Sequence, residues 1–198
     1  MSARIYNIHW HGPFKKKEDV KLVQQENGLI YELYLLKGKI PYAKKSHYYC
    51  GQSYSRGAGQ RLFDGNHHIK DYRKDGVEEI WIGYISNPEI NLQPSKQDVD
   101  LVEHMLISYL TKVLTKDYVL NEILFDFPID NVCILNQWYK RNTNKLYQRT
   151  PVGSPSSIIP DVLLHTYDEN CNQHELYGAE TNEDIKSVIS NILHTGVN

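Results

Sequence analysis

The stretch HYYCGQSYSRGAGQRLFDGNHH, His47 to His68, places two adjacent tyrosines, Gly51, two arginines and two histidines within one short segment. None of these polar groups is a natural core residue. Their shared chemistry is anion binding. A guanidinium such as Arg61 or Arg56 can fork two donors onto one phosphate, which an ammonium cannot do. A tyrosine hydroxyl, with an ordinary pKa of about 10, becomes a base only where nearby positive charge depresses it.

The elements that must position these groups are legible in outline. IYNIHWHGPF reads as a short N-terminal strand or arm closed by Gly12-Pro13. KKEDVKLVQQENG predicts a short helix with Gly28 at its C-terminal end. GLIYELYLL and SHYYCGQS, rich in aromatic and branched residues, predict a strand and its returning partner, joined through KGKIPYAKK. SYSRGAGQRL is a glycine-rich bend entering a helix that carries Arg61, and VEEIWIGYIS is a third strand, ended by Asn87-Pro88. Ser95 with Asp98 resembles a capping box. Val102, Met105, Leu106, Tyr109, Leu110 and Val113 then follow helical spacing, with Glu103 at the margin of the apolar stripe. KDYVLNEILFDFPID follows, with Pro128 as its stop. From about residue 131 the sequence turns polar, with a hairpin around Glu169-Asn170 and a closing helix in EDIKSVISNILHTG.

Composition sets bounds. At 198 residues with a 40% apolar share, the chain is long enough for one domain with a real core. No apolar run reaches the length of a membrane span, and the start lacks a secretory hydrophobic segment, so a cytoplasmic protein with no membrane partner is expected. Cys50, Cys133 and Cys171 are odd in number and widely spaced, against a disulfide framework. Tyr outnumbers Phe by 15 to 4, which suits a wet, polar-lined surface. The net charge of −2 is unevenly spread: Lys37 to Lys74 holds nine cations against Asp64 and Asp71, while Asp75 to Asp130 holds eleven acids against three lysines. A basic first half suits a polyanion. Gly57-Ala58-Gly59 lacks the rest of a dinucleotide fingerprint. His9, His11, Cys171 and His174 have metal-like spacings, but no second pair completes a zinc site.

GLIYELY followed by YYCGQS resembles the paired signatures of the GIY-YIG nuclease family. Tyr31 stands in the first signature, with Gly28 three residues before it, and Tyr49 and Gly51 stand in the second, which reads Tyr-Cys-Gly; Tyr34 and Tyr48 mark the alternative register. Arg61 opens the following helix, Glu103 lies on the later helix in EHMLI, and Asn121 stands in an LN-type signature. Gly65 occupies the place one turn after the arginine where the family has His or Tyr, leaving His67 or His68 to serve. The likeness runs over roughly residues 9 to 125.

The resemblance implies an α+β fold, a small three-stranded antiparallel sheet flanked by helices, with a C-terminal extension. It divides the chain into an arm and short helix (1–26), a nuclease core (27–130) and an extension at 131–198 suited to substrate binding. It implies an endonuclease that hydrolyses DNA with Mg²⁺ or Mn²⁺. Tyr31 would be the base, Tyr49 its support, and Arg61 with His67 or His68 the phosphate binders. Glu103 would hold the metal, and Asn121 would bond the site's backbone or the substrate. Such hydrolysis needs a nucleophilic water, charge neutralisation at phosphorus and a stabilised leaving oxygen. Lys44, Lys45, Arg56, Arg141 and Lys145 are the candidate DNA contacts, the last two within the Asn- and Gln-rich segment Gln137 to Arg149, which could read base edges or phosphates. A binding module without catalysis, or a protein-interaction domain with a tyrosine-rich surface, would use the same residues differently.

Overall fold

Buried strands place alternate side chains on opposite faces of a sheet, and this chain uses both faces. A computed structural model describes residues 4–86, 93–122, 131–141, 143–147, 153–168, 171 and 173–179. The expected stops at Asn87-Pro88 and Pro128, the turn residues Glu169-Asn170, the closing helix in EDIKSVISNILHTG, and Asn142, Gln148 and Arg149 lie outside the described residues.

Seven strands form one mixed, curled sheet in the order β3-β2-β4-β1-β5-β6-β7. The three expected strands are β2 (Leu33–Gly38), β3 (His47–Gln52) and β4 (Val77–Ser86), and they do pair antiparallel. They do not make a small three-stranded sheet flanked by helices, and that expectation is corrected here. β1 (Arg4–Phe14), taken for an arm ended by Gly12-Pro13, runs through both residues and pairs antiparallel with β4 and parallel with β5 (Val132–Lys140). β6 (Val162–Asp168) and β7 (Gln173–Ala179) form the expected hairpin and extend the same sheet.

The polar look of the segment after 131 concealed β5. Its Asn136 is 2% exposed, yet its side chain is satisfied: Oδ1 accepts from the Trp10 indole at 2.9 Å, and Nδ2 donates to the Pro160 carbonyl at 2.8 Å. A buried amide so paired sits in a core without an orphan group.

Helices are few. α3 (Lys96–Leu114) starts at the expected capping box, Ser95 with Asp98, and packs its apolar stripe against Tyr6, Trp10, Leu33, Leu35 and Trp81 on one face of the sheet. α1 (Lys17–Asn27) and the four-residue α2 (Ala58–Arg61) cover the other face over Tyr34, Leu36, Ile80 and Ile82. α1 ends as read: Gly28 adopts φ 63°, and its N–H bonds the Gln24 carbonyl. A fourth short helix, α4 (Pro155–Ile158), precedes β6. Among the described residues no helix is long and apolar enough to cross a membrane.

Asn136→Leu is therefore expected to destabilise the protein by about 2 kcal/mol, because it strands the Trp10 indole N–H and the Pro160 carbonyl. Urea unfolding followed by tryptophan fluorescence measures this, and a cost near zero would show that the Asn136 bonds are dispensable.

Candidate active site

Tyr34 of β2 lies directly opposite Gly51 of β3. A Cβ on residue 51 would sit 2.2 Å from the Tyr34 hydroxyl oxygen, so the ring occupies the space that any other side chain would fill. Strand alternation puts Tyr34 and Tyr49 on the same face, with ring centroids 6.0 Å apart.

The Tyr34 hydroxyl is hydrogen-bonded to His67 and sits beside Tyr49 and Arg61. His67 Nδ1 accepts the Ile69 backbone N–H at 2.9 Å. Burial, aided by Arg61, lowers the His67 pKa to about 4, so the ring is neutral and its proton resides on Nε2. Nε2–H therefore donates to the Tyr34 hydroxyl oxygen at 2.7 Å. Arg61 and Tyr49 are the nearest electrostatic neighbours of that hydroxyl, and the Tyr49 ring lies 6.0 Å from the Tyr34 ring. Burial raises Tyr49 to about 12, while the Tyr34 hydrogen bond and the Arg61 charge pull it down. Tyr34, 1% exposed, is held much higher, chiefly by burial.

Arg61 is aimed by Asp64, whose Oδ2 receives its Nη1 at 2.8 Å. Arg56 grips the same carboxylate from the other side at 2.8 and 3.3 Å. Gln24 of α1 fixes α2 by accepting from the Gly59 N–H and donating to the Arg56 carbonyl. Asn121 clamps the backbone between Tyr49 and Gly51: its Oδ1 accepts from the Cys50 N–H at 2.9 Å, and its Nδ2 donates to the Cys50 carbonyl at 2.6 Å.

Glu103 projects from α3 toward the end of β3, beside the Gln52 backbone. Burial, then repulsion from Asp100, raises its pKa to about 7. Asp100 itself is paired with Lys96 at 2.7 Å and Gln52 at 3.0 Å. No cation closes an ion pair on Glu103 among the described residues, and none of them form a group of three His, Cys, Asp or Glu around a common point.

Of the sequence-derived residues, Tyr49, Arg61, His67 and Glu103 come together, Asn121 braces them, and Arg56 supports them through Asp64. His68 lies at the margin, exposed, paired with Asp71 at 2.7 Å, with its ring 4.7 Å from that of Tyr49. Tyr31 is elsewhere. It precedes β2, accepts from Asn27 Nδ2 at 3.0 Å and packs edge-on against His11 and Tyr84. Tyr48 points away and donates to the Gly153 carbonyl.

The expected DNA contacts mostly lie apart. Lys44 and Lys45 precede β3, at the end opposite Gln52, and Lys45 stands over the Tyr118 ring. Arg141 donates to the Pro13 carbonyl and covers Phe14, and Lys145 sits in the exposed turn after β5. Tyr34 and Asp64 were the residues that sequence spacing undervalued. The available signal was alternation, which turns Tyr34 and Leu36 to one face of β2 and Leu33 and Leu35 to the other.

Comparison with known proteins finds no matching family model, no matching curated protein and no matching solved structure.

Two outcomes check this geometry. Gly51→Ala should be strongly destabilising in the wild-type background and much less so beside Tyr34→Ala, since the clash is pairwise; additive costs in a double-mutant cycle would show that the two do not collide. The second concerns pH. A carboxyl raised from 4.5 to about 7 binds its proton more tightly in the native state. Its favourable contribution is thus present below pH 4.5 and lost as pH rises through 7. Without divalent cations, Glu103→Gln should melt a few degrees above wild type at pH 8 and level with it near pH 4.5. A gap independent of pH would show that Glu103 is not desolvated.

Proposed function

We propose that the protein hydrolyses DNA phosphodiester bonds with the help of a divalent cation, Mg²⁺ or Mn²⁺, held by Glu103. The observation that carries this reading is the cluster of His67, Tyr34 and Tyr49 beside Arg61 and a buried carboxylate raised to about 7. Paired phenols, a guanidinium that can hold an oxyanion and a desolvated carboxylate suit phosphate chemistry.

The donor chemistry at Glu103 fits such a cation. Mg²⁺ prefers oxygen, keeps several waters and needs only one or two carboxylates when substrate phosphate supplies the rest. Bound there, the cation would relieve the buried charge and neutralise negative charge on the phosphate.

The chain's own residues then divide the work. Arg61 binds a non-bridging phosphate oxygen, with its fork steered by Asp64. Tyr49, raised to about 12 by burial, first loses its own proton to solvent under the pull of Arg61; as the phenolate it then takes the proton of the attacking water, in place of the expected Tyr31. Tyr34, stacked beside Tyr49, would donate to the phenolate oxygen and stabilise it, while His67, neutral and fixed by the Ile69 N–H, holds the Tyr34 oxygen and leaves the Tyr34 proton free to turn that way. As the water oxygen bonds to phosphorus, the bond to the leaving oxygen breaks, and that oxygen takes a proton from solvent. Asn121 holds the Cys50 peptide, and with it the position of Tyr49.

Incubating the purified protein with supercoiled plasmid and Mg²⁺ or Mn²⁺ tests the reading. Glu103→Gln should bind DNA yet lose cleavage by several orders of magnitude. Tyr49→Phe and Tyr34→Phe should each lose about 100-fold or more, Arg61→Lys should fail to substitute for the fork, and Tyr31→Phe should keep nearly full activity. DNA binding without cleavage of any substrate would leave a binding module instead. Greater damage from Tyr31→Phe than from Tyr34→Phe would overturn the assignment of roles.

A further inference from the structure

The face that carries Tyr34 and Tyr49 continues across the sheet as a row of rings that the phosphate chemistry does not use. Register sets His9 of β1 opposite Tyr84 of β4, and His11 opposite Tyr139 of β5. The His9 and Tyr84 rings stack at 4.5 Å and 9°, and His11 stacks on Tyr139 at 5.3 Å and 20°. Tyr31 meets His11 edge-on at 5.7 Å. A cavity of about 420 Å³ opens on this cluster, lined by His11, Tyr31, Tyr84, Asn27, Thr143 and Asn144 among others.

Plain packing does not account for the cluster. His11 is 7% exposed, and its Nδ1 is buried with no hydrogen-bond partner among the described residues. A buried polar atom left unpaired costs free energy that folding alone does not recover. His11 lines a cavity whose other polar groups are the Asn27 and Asn144 amides and the hydroxyls of Thr143, Tyr31 and Tyr84, groups that can both donate and accept. The lining holds no charged side chain, which disfavours an anion as occupant.

We propose that this cavity receives a nucleobase from a single-stranded stretch of nucleic acid. The ring would stack against the Tyr84 and His11 system, and its edge would bond the amides of Asn27 or Asn144. The inference rests on the reading of the protein as a DNA-handling enzyme and adds a base subsite to it. Aromatic faces stack any base, and amide side chains suit base edges. Exposed Lys140 and Lys145 flank Thr143 and Asn144 and can meet the adjoining phosphates. Tyr31 is three residues from Tyr34, at most about 11 Å between Cα atoms, so a base held here lies within a few nucleotides of a phosphate at Arg61.

The test is binding of a short single-stranded deoxyoligonucleotide carrying one 2-aminopurine, measured with chelator present so that cleavage plays no part. The fluorescence should quench on binding. Tyr84→Leu should weaken the affinity about tenfold, and Asn144→Ala, on an exposed turn where it cannot upset packing, should weaken it measurably. A melting curve on each variant confirms that it folds. The same strand with an abasic residue in place of the 2-aminopurine should bind more weakly to the wild type and ignore both substitutions. Absence of quenching, or equal losses for the abasic strand, would overturn the proposal. Quenching without cleavage of any DNA in Mg²⁺ would keep the base subsite and retire the hydrolase reading; cleavage without base-dependent binding would do the reverse.

Discussion

The candidate site depends on one close approach, the Tyr34 ring lying over Gly51 on the neighbouring strand. With that space filled by a side chain, the ring would have to leave the sheet face. Its hydroxyl could then no longer sit beside His67, Arg61 and Tyr49. Several features of the surroundings serve the same contact from different directions. Asn121 fixes the Cys50 peptide on one strand, His67 is locked through the Ile69 N–H, and Gln24 ties α2 to α1 so that Arg61 arrives at the right height.

Electrostatic costs are concentrated at the same place and have opposite signs. Burial keeps His67 and the tyrosines neutral and drives Glu103 toward its neutral form. Arg61 is the one strongly cationic group among them, and Asp64 shares its charge with Arg56. Ionised Glu103 is therefore an unfavourably buried charge at neutral pH. Functional sites commonly hold such perturbed groups, and the clustering sets Glu103 apart from Glu32, which is also buried and raised to about 7 but accepts the Ile85 N–H.

β1 gives the sheet its second half. Lying between β4 and β5, it joins the tyrosine-bearing hairpin to the strands after residue 131. Its alternation also divides labour between the two faces: Trp10 enters the core under α3, while His9 and His11 join the ring row on the opposite face. One strand thus supports both the stability of the fold and the polar surface beside the candidate site. The buried Trp10–Asn136 bond pins its parallel pairing with β5.

The sequence by itself determined the local elements. Period-two runs specified β2, β3 and β4, the Ser95–Asp98 pair specified the start of α3, and Gly28 specified the end of α1. The family resemblance also grouped Tyr31, Tyr49, Arg61, His67 or His68, Glu103 and Asn121, of which Tyr31 stands apart from the rest. The size of the sheet was not legible, because strand pairing between residues 4–12 and 132–140 is a long-range contact with no local signature, and because Asn136 looks polar until its partners are seen. The choice between Tyr31 and Tyr34 was equally closed to spacing. Both are tyrosines on one short run, and only cross-strand register decides which hydroxyl stands over Gly51 and which turns toward His11. Local propensity acts over a few residues, whereas register and burial are set by surfaces that meet only when the chain has folded.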